Sequence, residues 1–140
     1  MRGFAAAILA MGAAASQWPE VDVKLFREKT FKNKIDHFNF LDDREYDQRY
    51  WISDEYWKGD GPIFVYICGE YRCSVPETRL FPFMVGAAHN ARFMVLEHRF
   101  YGDSQPFDTW DLKNFAYLNS EQALADLAYF IGEMNPEQKS

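Results

Sequence analysis

The stretch from Ala91 to Phe107, A-R-F-M-V-L-E-H-R-F-Y-G-D-S-Q-P-F, limits what this chain can fold into more than any other. Arg92–Leu96 has the length and the aromatic or β-branched content of a buried strand, with Asn90 before it and Gly102 after it. No second strand follows. A polar loop leads instead to Asn119-Ser120-Glu121-Gln122, where Asn119 can cap a helix and Gln122 stands at the capping-box position. Leu124, Leu127, Ala128 and Ile131 then repeat at helical spacing, with Glu121, Asp126 and Glu133 off that stripe, until Met134-Asn135-Pro136 ends the pattern. Strand, loop and helix in that order form one step of an α/β sheet, where chemistry gathers at the carboxyl ends of the strands. Here that end reads Glu97-His98-Arg99-Phe100-Tyr101-Gly102.

The preceding residues supply the rest of such a sheet. Thr30–Phe40 and Glu45–Ile52 are extended and aromatic-rich, and Leu41-Asp42-Asp43-Arg44 has turn chemistry, which predicts an antiparallel hairpin. Gly61-Pro62 launches Ile63–Cys68, a continuous apolar run of the kind buried on both faces of a sheet. Pro76 through His89 reads as a helix with Leu80, Phe83, Met84 and Ala87 on one face, kinked or restarted at Pro82 and stopped at Asn90. Ser16–Glu28 is a polar lead-in expected to pack poorly.

With 48% hydrophobic and 26% charged residues in 140, the chain reads as globular, and its formal charge of −6 argues against a nucleic-acid partner. Residues 1–16 differ in kind. Arg2, the apolar Phe4–Ala15 and the small residues Ala13-Ala14-Ala15-Ser16 predict a signal peptide; the apolar stretch is too short to span a bilayer, and no other segment is a candidate span. In a secretory compartment Cys68 and Cys73, with Gly69 between them, are candidates for a local disulfide; free thiols, or partners elsewhere, are the other possibilities. Two Cys and three dispersed His have no metal-ligand spacing, so no metal or cofactor is expected.

The wording of these blocks resembles a known family. Ile35-Asp36-His37-Phe38-Asn39-Phe40, Gln48-Arg49-Tyr50, Gly61–Tyr66, Gly69-Glu70, Glu97–Gly102, Ser104, Pro106-Phe107 and Tyr117–Asp126 stand in the order found in the lysosomal Pro-X carboxypeptidase family of serine exopeptidases. That family also holds dipeptidyl peptidase II and the thymus-specific serine protease. The resemblance implies an α/β fold, the N-terminal portion of an α/β-hydrolase: an antiparallel hairpin leading into a mostly parallel sheet with flanking helices. The resulting layout is a signal peptide (1–16), a lead-in (17–29) and the N-terminal part of a peptidase domain (30–140). It further implies a secreted or lysosomal protein acting on peptide substrates next to proline, as a Pro-X carboxypeptidase or a dipeptidyl peptidase. Family members carry their nucleophile in a Gly-Gly-Ser-Tyr-x-Gly elbow after the last helix, and no such elbow occurs here. The catalytic serine, aspartate and histidine are therefore all expected beyond Ser140, and none of them within this chain. The expectation is a chain truncated before the elbow and inactive alone. The alternative is a non-catalytic homologue, or an incomplete gene product, acting at most as a binding module.

Site residues follow from strand ends and from the resemblance. Gly69, Glu70 and Tyr71 follow the strand that precedes an oxyanion-hole loop in α/β-hydrolases, and Glu70 is also a candidate anchor for a substrate amino group. Where the family often has glycine, this chain has Cys68 and Tyr71. Phe100, Tyr101 and Phe107 are candidates for an apolar wall beside the site. Glu97, His98, Arg99 and Gly102 are read as structural, since adjacent strand residues face opposite ways and Glu97 cannot easily pair with His98. By the same alternation Asp36 and His37 form no dyad, and His37 reads as a packing or hairpin residue; His89 reads as a helix end. Ser104, with neither elbow nor base beside it, is read as a turn residue.

Overall fold

The computed structural model describes residues 21–76 and 80–136, so the signal-peptide segment and the last residues up to Ser140 lie outside the described residues. Strands β1 (Arg27–Lys34), β2 (Glu45–Ser53), β3 (Ile63–Ile67) and β4 (Arg92–Leu96) form one mixed sheet in the order β1-β2-β4-β3. The β1–β2 hairpin is antiparallel, β2 is antiparallel to β4, and β3 runs parallel to β4. Between β3 and β4 the chain passes through helix α1 (Phe81–Ala88), and helix α2 (Ser120–Met134) follows β4. A mixed sheet with flanking helices is consistent with a partial α/β-hydrolase domain.

Alternation along the strands fills the two faces. Trp51, Phe93 and Val95 point to one face, where they meet Val21, Phe26, Phe83, Ala87 and both cysteines. Tyr50, Ile52, Met94 and Leu96 point to the other, where Phe130 of α2 is completely buried. β4 is covered on both sides, as its apolar run requires. Gly86 lets α1 lie against it, because a side chain there would run into the Phe93 ring.

Several expectations need correction. β1 begins at Arg27 and ends at Lys34, because the antiparallel register with β2, from Arg27–Ile52 to Lys34–Glu45, decides its limits. Its R-E-K-T-F-K-N-K sequence is mostly exposed and carries little apolar pattern to read. The lead-in is not loose where it is described: Val21 and Phe26 are buried, and the Phe26 ring meets Phe83 edge-on at 5.9 Å. α1 starts at Phe81, with Pro82 in its first turn, where the missing N–H does no harm, so there is no internal kink. Asn90 stops it in a left-handed conformation (φ 58°). β3 is an edge strand here; it is half-buried, and Ile67 is 48% exposed. On α2 the expected stripe holds only at Leu127, which is half-buried against the cluster around Phe130. Leu124, Ala128 and Ile131 are exposed, whereas Gln122, Asp126 and Phe130 face inward.

The cap of α2 stands as expected in one half. Asn119 Oδ1 accepts from Gln122 N at 2.8 Å. The reciprocal half of the capping box is not made. Gln122 instead reaches across to the β1–β2 turn, donating to Asp36 Oδ1 at 2.6 Å and accepting from His37 N at 3.0 Å.

Candidate active site

The parallel pair β3 and β4 delivers two exit turns side by side at the carboxyl edge of the sheet. The first, Gly69–Cys73, is closed by the Cys68–Cys73 disulfide, with a Cα–Cα distance of 5.9 Å. Closing so short a loop stabilises by about 2 kcal/mol in the chain-entropy picture. The Tyr71 amide donates to Gly69 O at 2.8 Å, and the Tyr71 side chain curls back over Gly69. A hydrogen bond with Tyr71, aided by burial, raises the pKa of the Tyr66 phenol. Among the described residues, the Gly69 and Glu70 amides have no hydrogen-bond partner. Glu70 and Tyr71 are both exposed.

The second turn, His98–Ser104, follows β4. It is held by Tyr101 N to His98 O (3.2 Å), Ser104 N to Tyr101 O (3.0 Å) and Phe100 N to Ser104 O (2.9 Å). Phe100 takes a left-handed conformation (φ 66°), which is strained for an aromatic residue and persists only where the surroundings dictate it. They do so here, since Phe100 is buried and its ring stacks on Phe115 at 5.9 Å and lies 6.1 Å from Phe107. Phe100 and Phe107 thus belong to one aromatic cluster with the short helical turn Leu112–Tyr117. Tyr101 faces His98, with ring centroids 5.4 Å apart.

Glu97 ties the two turns together. Fully buried, it takes Arg49 Nη2 (2.6 Å) and the Cys73 amide (2.9 Å) on Oε1. Oε2 receives Arg49 Nε (3.1 Å), the Asp103 amide (3.1 Å) and Ser104 Oγ (2.8 Å). Gly102 must be glycine on two counts: its φ is +56°, and a Cβ would collide with the Glu97 carboxylate. Arg49 also donates to Cys73 O at 3.2 Å and to Asp103 at 2.7 Å, and its guanidinium lies 4.7 Å from the Trp51 ring. Burial works most strongly against the Arg49 charge, but the carboxylates of Glu97, Asp103 and Glu28 together outweigh it, so its pKa is raised. Arg72 clamps Asp103 with two bonds of 2.8 and 2.7 Å, and this clamp first of all holds the Asp103 carboxyl below its usual range.

A second buried knot lies toward α2, and the sequence reading missed it. Arg99 grips Asp126 through Nη2 (2.6 Å) and Nε (2.7 Å), with both side chains nearly inaccessible. His37 Nε2 lies 2.8 Å from Asp126 Oδ1, and the Tyr46 hydroxyl donates to Oδ2 at 2.9 Å. Arg99 also donates to the carbonyls of Lys34, Ile35 and Tyr117. Burial, reinforced by Asp126, pushes the Tyr46 phenol well up. Removing either partner of such an ion pair leaves an uncompensated charge and costs about 3–5 kcal/mol. As expected, His37 makes no pair with Asp36. No serine hydroxyl is bonded to the His37–Asp126 pair among the described residues, so it has the connections of a structural joint rather than of a triad. The triad expected beyond Ser140 lies outside the described residues, which end at Pro136. The capping and aromatic signals on either side give no sign of the Asp126 knot, because its members stand 27 to 89 residues apart.

The described residues bring together no group of three or more His, Cys, Asp or Glu that could hold a metal ion. No helix among them is long and apolar enough to cross a membrane. Beside the strand ends, a cavity of about 260 Å³ is lined by Ile67, Leu96, His98, Ser120, Leu124 and Leu127. A second, of about 100 Å³, lies between Ile63, Val65, Met94, Ile131 and Met134.

Residues 33–140 match the family described as serine carboxypeptidase S28. The chain belongs to that family. Its curated relatives include the lysosomal Pro-X carboxypeptidase of Bos taurus, 36% identical over 118 residues, which are 81% of this chain and 23% of that protein. The thymus-specific serine protease of Homo sapiens is 36% identical over 121 residues, 85% of this chain and 22% of its own length. The serine protease vicPa of Bipolaris victoriae is 36% identical over 106 residues, 71% of this chain and 20% of its own. This S28 chain therefore spans about a fifth of the length of the curated relatives it matches. The aligned part takes in both exit turns, Glu97 and Asp126.

Proposed function

We propose that this chain forms the oxyanion-side scaffold of a serine-type exopeptidase that cleaves peptides next to proline in the secretory pathway or the lysosome. The observation that carries the reading is the pair of unpartnered adjacent amides, Gly69 and Glu70, in a disulfide-closed turn at the end of a parallel strand. Acyl transfer needs donors fixed in advance where the tetrahedral oxygen develops, and each is worth about 3–4 kcal/mol of barrier. The Tyr71 amide is already bonded to Gly69 O, so Gly69 and Glu70 take the donor role, narrowing the expected three-residue site. Tyr71 contributes by covering the turn, and His98 and Tyr101 form the near wall. Phe100 and Phe107 support that wall from inside.

The serine, its base and the orienting acid belong to polypeptide that follows Ser140 in a protein of the relatives' length. The 140-residue chain alone is inactive on this reading. Support comes from family membership and from the bonding of Ser104, whose hydroxyl serves Glu97 and the Arg49 amide and is not free to attack. The exposed Glu70 carboxylate is the anchor for a free substrate amine, which favours cleavage from the amino terminus.

The test uses a protein of full relative length that carries this sequence, with proline-containing peptides whose amine is free or acetylated. The expected result is cleavage next to proline, with Glu70→Gln weakening the free-amine substrates selectively. Absence of cleavage contradicts the peptidase reading. Equal losses on both substrate sets contradict the anchor alone.

A further inference from the structure

We infer that Glu97 is a positioning residue for the active site, setting where the Gly69–Cys73 turn, and hence its amide donors, sits against the substrate. The inference rests on the peptidase reading above. The carboxylate has about four acceptor positions and meets five donors, so its acceptor capacity is fully used. Two of those donors are backbone amides, Cys73 in one exit turn and Asp103 in the other. Arg49, oriented by the two bonds it donates to Glu97, holds the Cys73 carbonyl as well. The turn is thus fastened at its far end through both polar groups of the Cys73 backbone. At its near end the Cys68 amide extends the ladder to Leu96 O at 3.0 Å. The disulfide joins the two ends, and Gly69 to Arg72 are left as the span between them.

Stability alone gives little reason for burying this pair, since well-packed apolar residues in place of a buried ion pair are often neutral or better. What the pair supplies is a fixed geometry. The backbone around it is bent to reach that geometry, with Phe100 and Gly102 both at positive φ so that residues 103 and 104 can turn back onto the carboxylate. In Glu97→Gln one acceptor oxygen becomes a donor. Whichever way the amide faces, that NH₂ meets either Arg49 Nη2 and the Cys73 amide or Arg49 Nε and the Asp103 amide, all of which can only donate. The turn must shift, and a displacement of about 1 Å near reacting groups can lower the rate by about 100-fold.

The experiment compares wild type, Glu97→Gln and Ser104→Ala in the full-length protein, with kcat and KM on a proline-containing peptide and the labelling rate by a fluorophosphonate probe. Glu97→Gln is expected to lower kcat about 10- to 100-fold at nearly unchanged KM, with labelling slowed in parallel and the thermal transition still cooperative. Ser104→Ala, which removes one donor to Glu97 and the acceptor of the Arg49 amide but keeps the Arg49 guanidinium, is expected to lower kcat severalfold, again at constant KM. A folded Glu97→Gln protein with wild-type kcat overturns the inference. Should that variant not fold, Ser104→Ala decides: a kcat equal to wild type overturns the inference, and a selective loss supports it. A wild type that neither labels nor cleaves overturns the peptidase reading and this inference with it.

Discussion

Asp42 shows how single residues fasten the β1–β2 turn. Arg44 binds it through Nε (2.8 Å) and Nη2 (2.6 Å), and the Arg44 amide adds a third bond at 3.1 Å. The side-chain bonds from Arg44 hold the Asp42 carboxyl at about 2, against an ordinary value of 3.8. Because the folded-state value is the lower one, the contribution to stability is complete above 3.8 and is lost as pH falls toward about 2. At mildly acidic pH the turn therefore stays ionised and locked. Arg44→Gln, which keeps the backbone bond from residue 44, should raise the Asp42 midpoint from about 2 toward 3.8 in a carboxyl-carbon NMR titration, and a midpoint that stays near 2 would assign the depression to another cause. Residue chemistry at this scale was legible in the sequence only when the partner was near. Asp42 and Arg44, Asn119 and Gln122, and Cys68 and Cys73 are all local pairs. Glu97 reads from the sequence as a structural residue at a strand end, but Arg49 and Cys73 stand 48 and 24 residues away and nothing in the local pattern names them.

Among the elements, β3 carries the most telling conflict. Its I-F-V-Y-I-C sequence suits a strand covered on both faces, yet among the described residues only β4 pairs with it, and it has no charge or proline of the kind that guards a natural edge. The exposed Leu124, Ala128 and Ile131 of α2 stand along the same side, and the two cavities lie between them and β3. The α2 stripe was misread for a related reason. Periodicity ranks residues by apolarity, whereas the face turned inward here is occupied by Gln122 and Asp126, which are buried because their bonds are satisfied. Ile67→Lys should act oppositely in two contexts. In the 140-residue chain it charges an open edge and should raise the soluble monomeric fraction in gel filtration. In a protein of the relatives' length the account places β3 inside the sheet, and there the same change should abolish folded yield. The same direction of change in both would show that β3 is an edge in the longer protein too.

At the scale of the whole molecule, the sheet order, the parallel β3–β4 pair and two buried polar knots describe a platform of tied strand ends with β3 at one edge of the described sheet. The parallel pair was legible because each strand is a short apolar run followed by turn chemistry and then a helix. The knots were not, because they join residues that only the completed sheet brings together: His37, Tyr46 and Arg99 meet Asp126 across the hairpin, the β4 exit and α2. The central claim is that this platform serves a serine it does not itself contain. The most direct measurement labels the full-length protein with a fluorophosphonate and maps the modified residue by mass spectrometry. The account predicts one stoichiometric label on a serine beyond Ser140, and none on the 140-residue chain treated in the same way. A label on Ser104 or any other serine up to and including Ser140, or no label on a folded full-length protein, would contradict it.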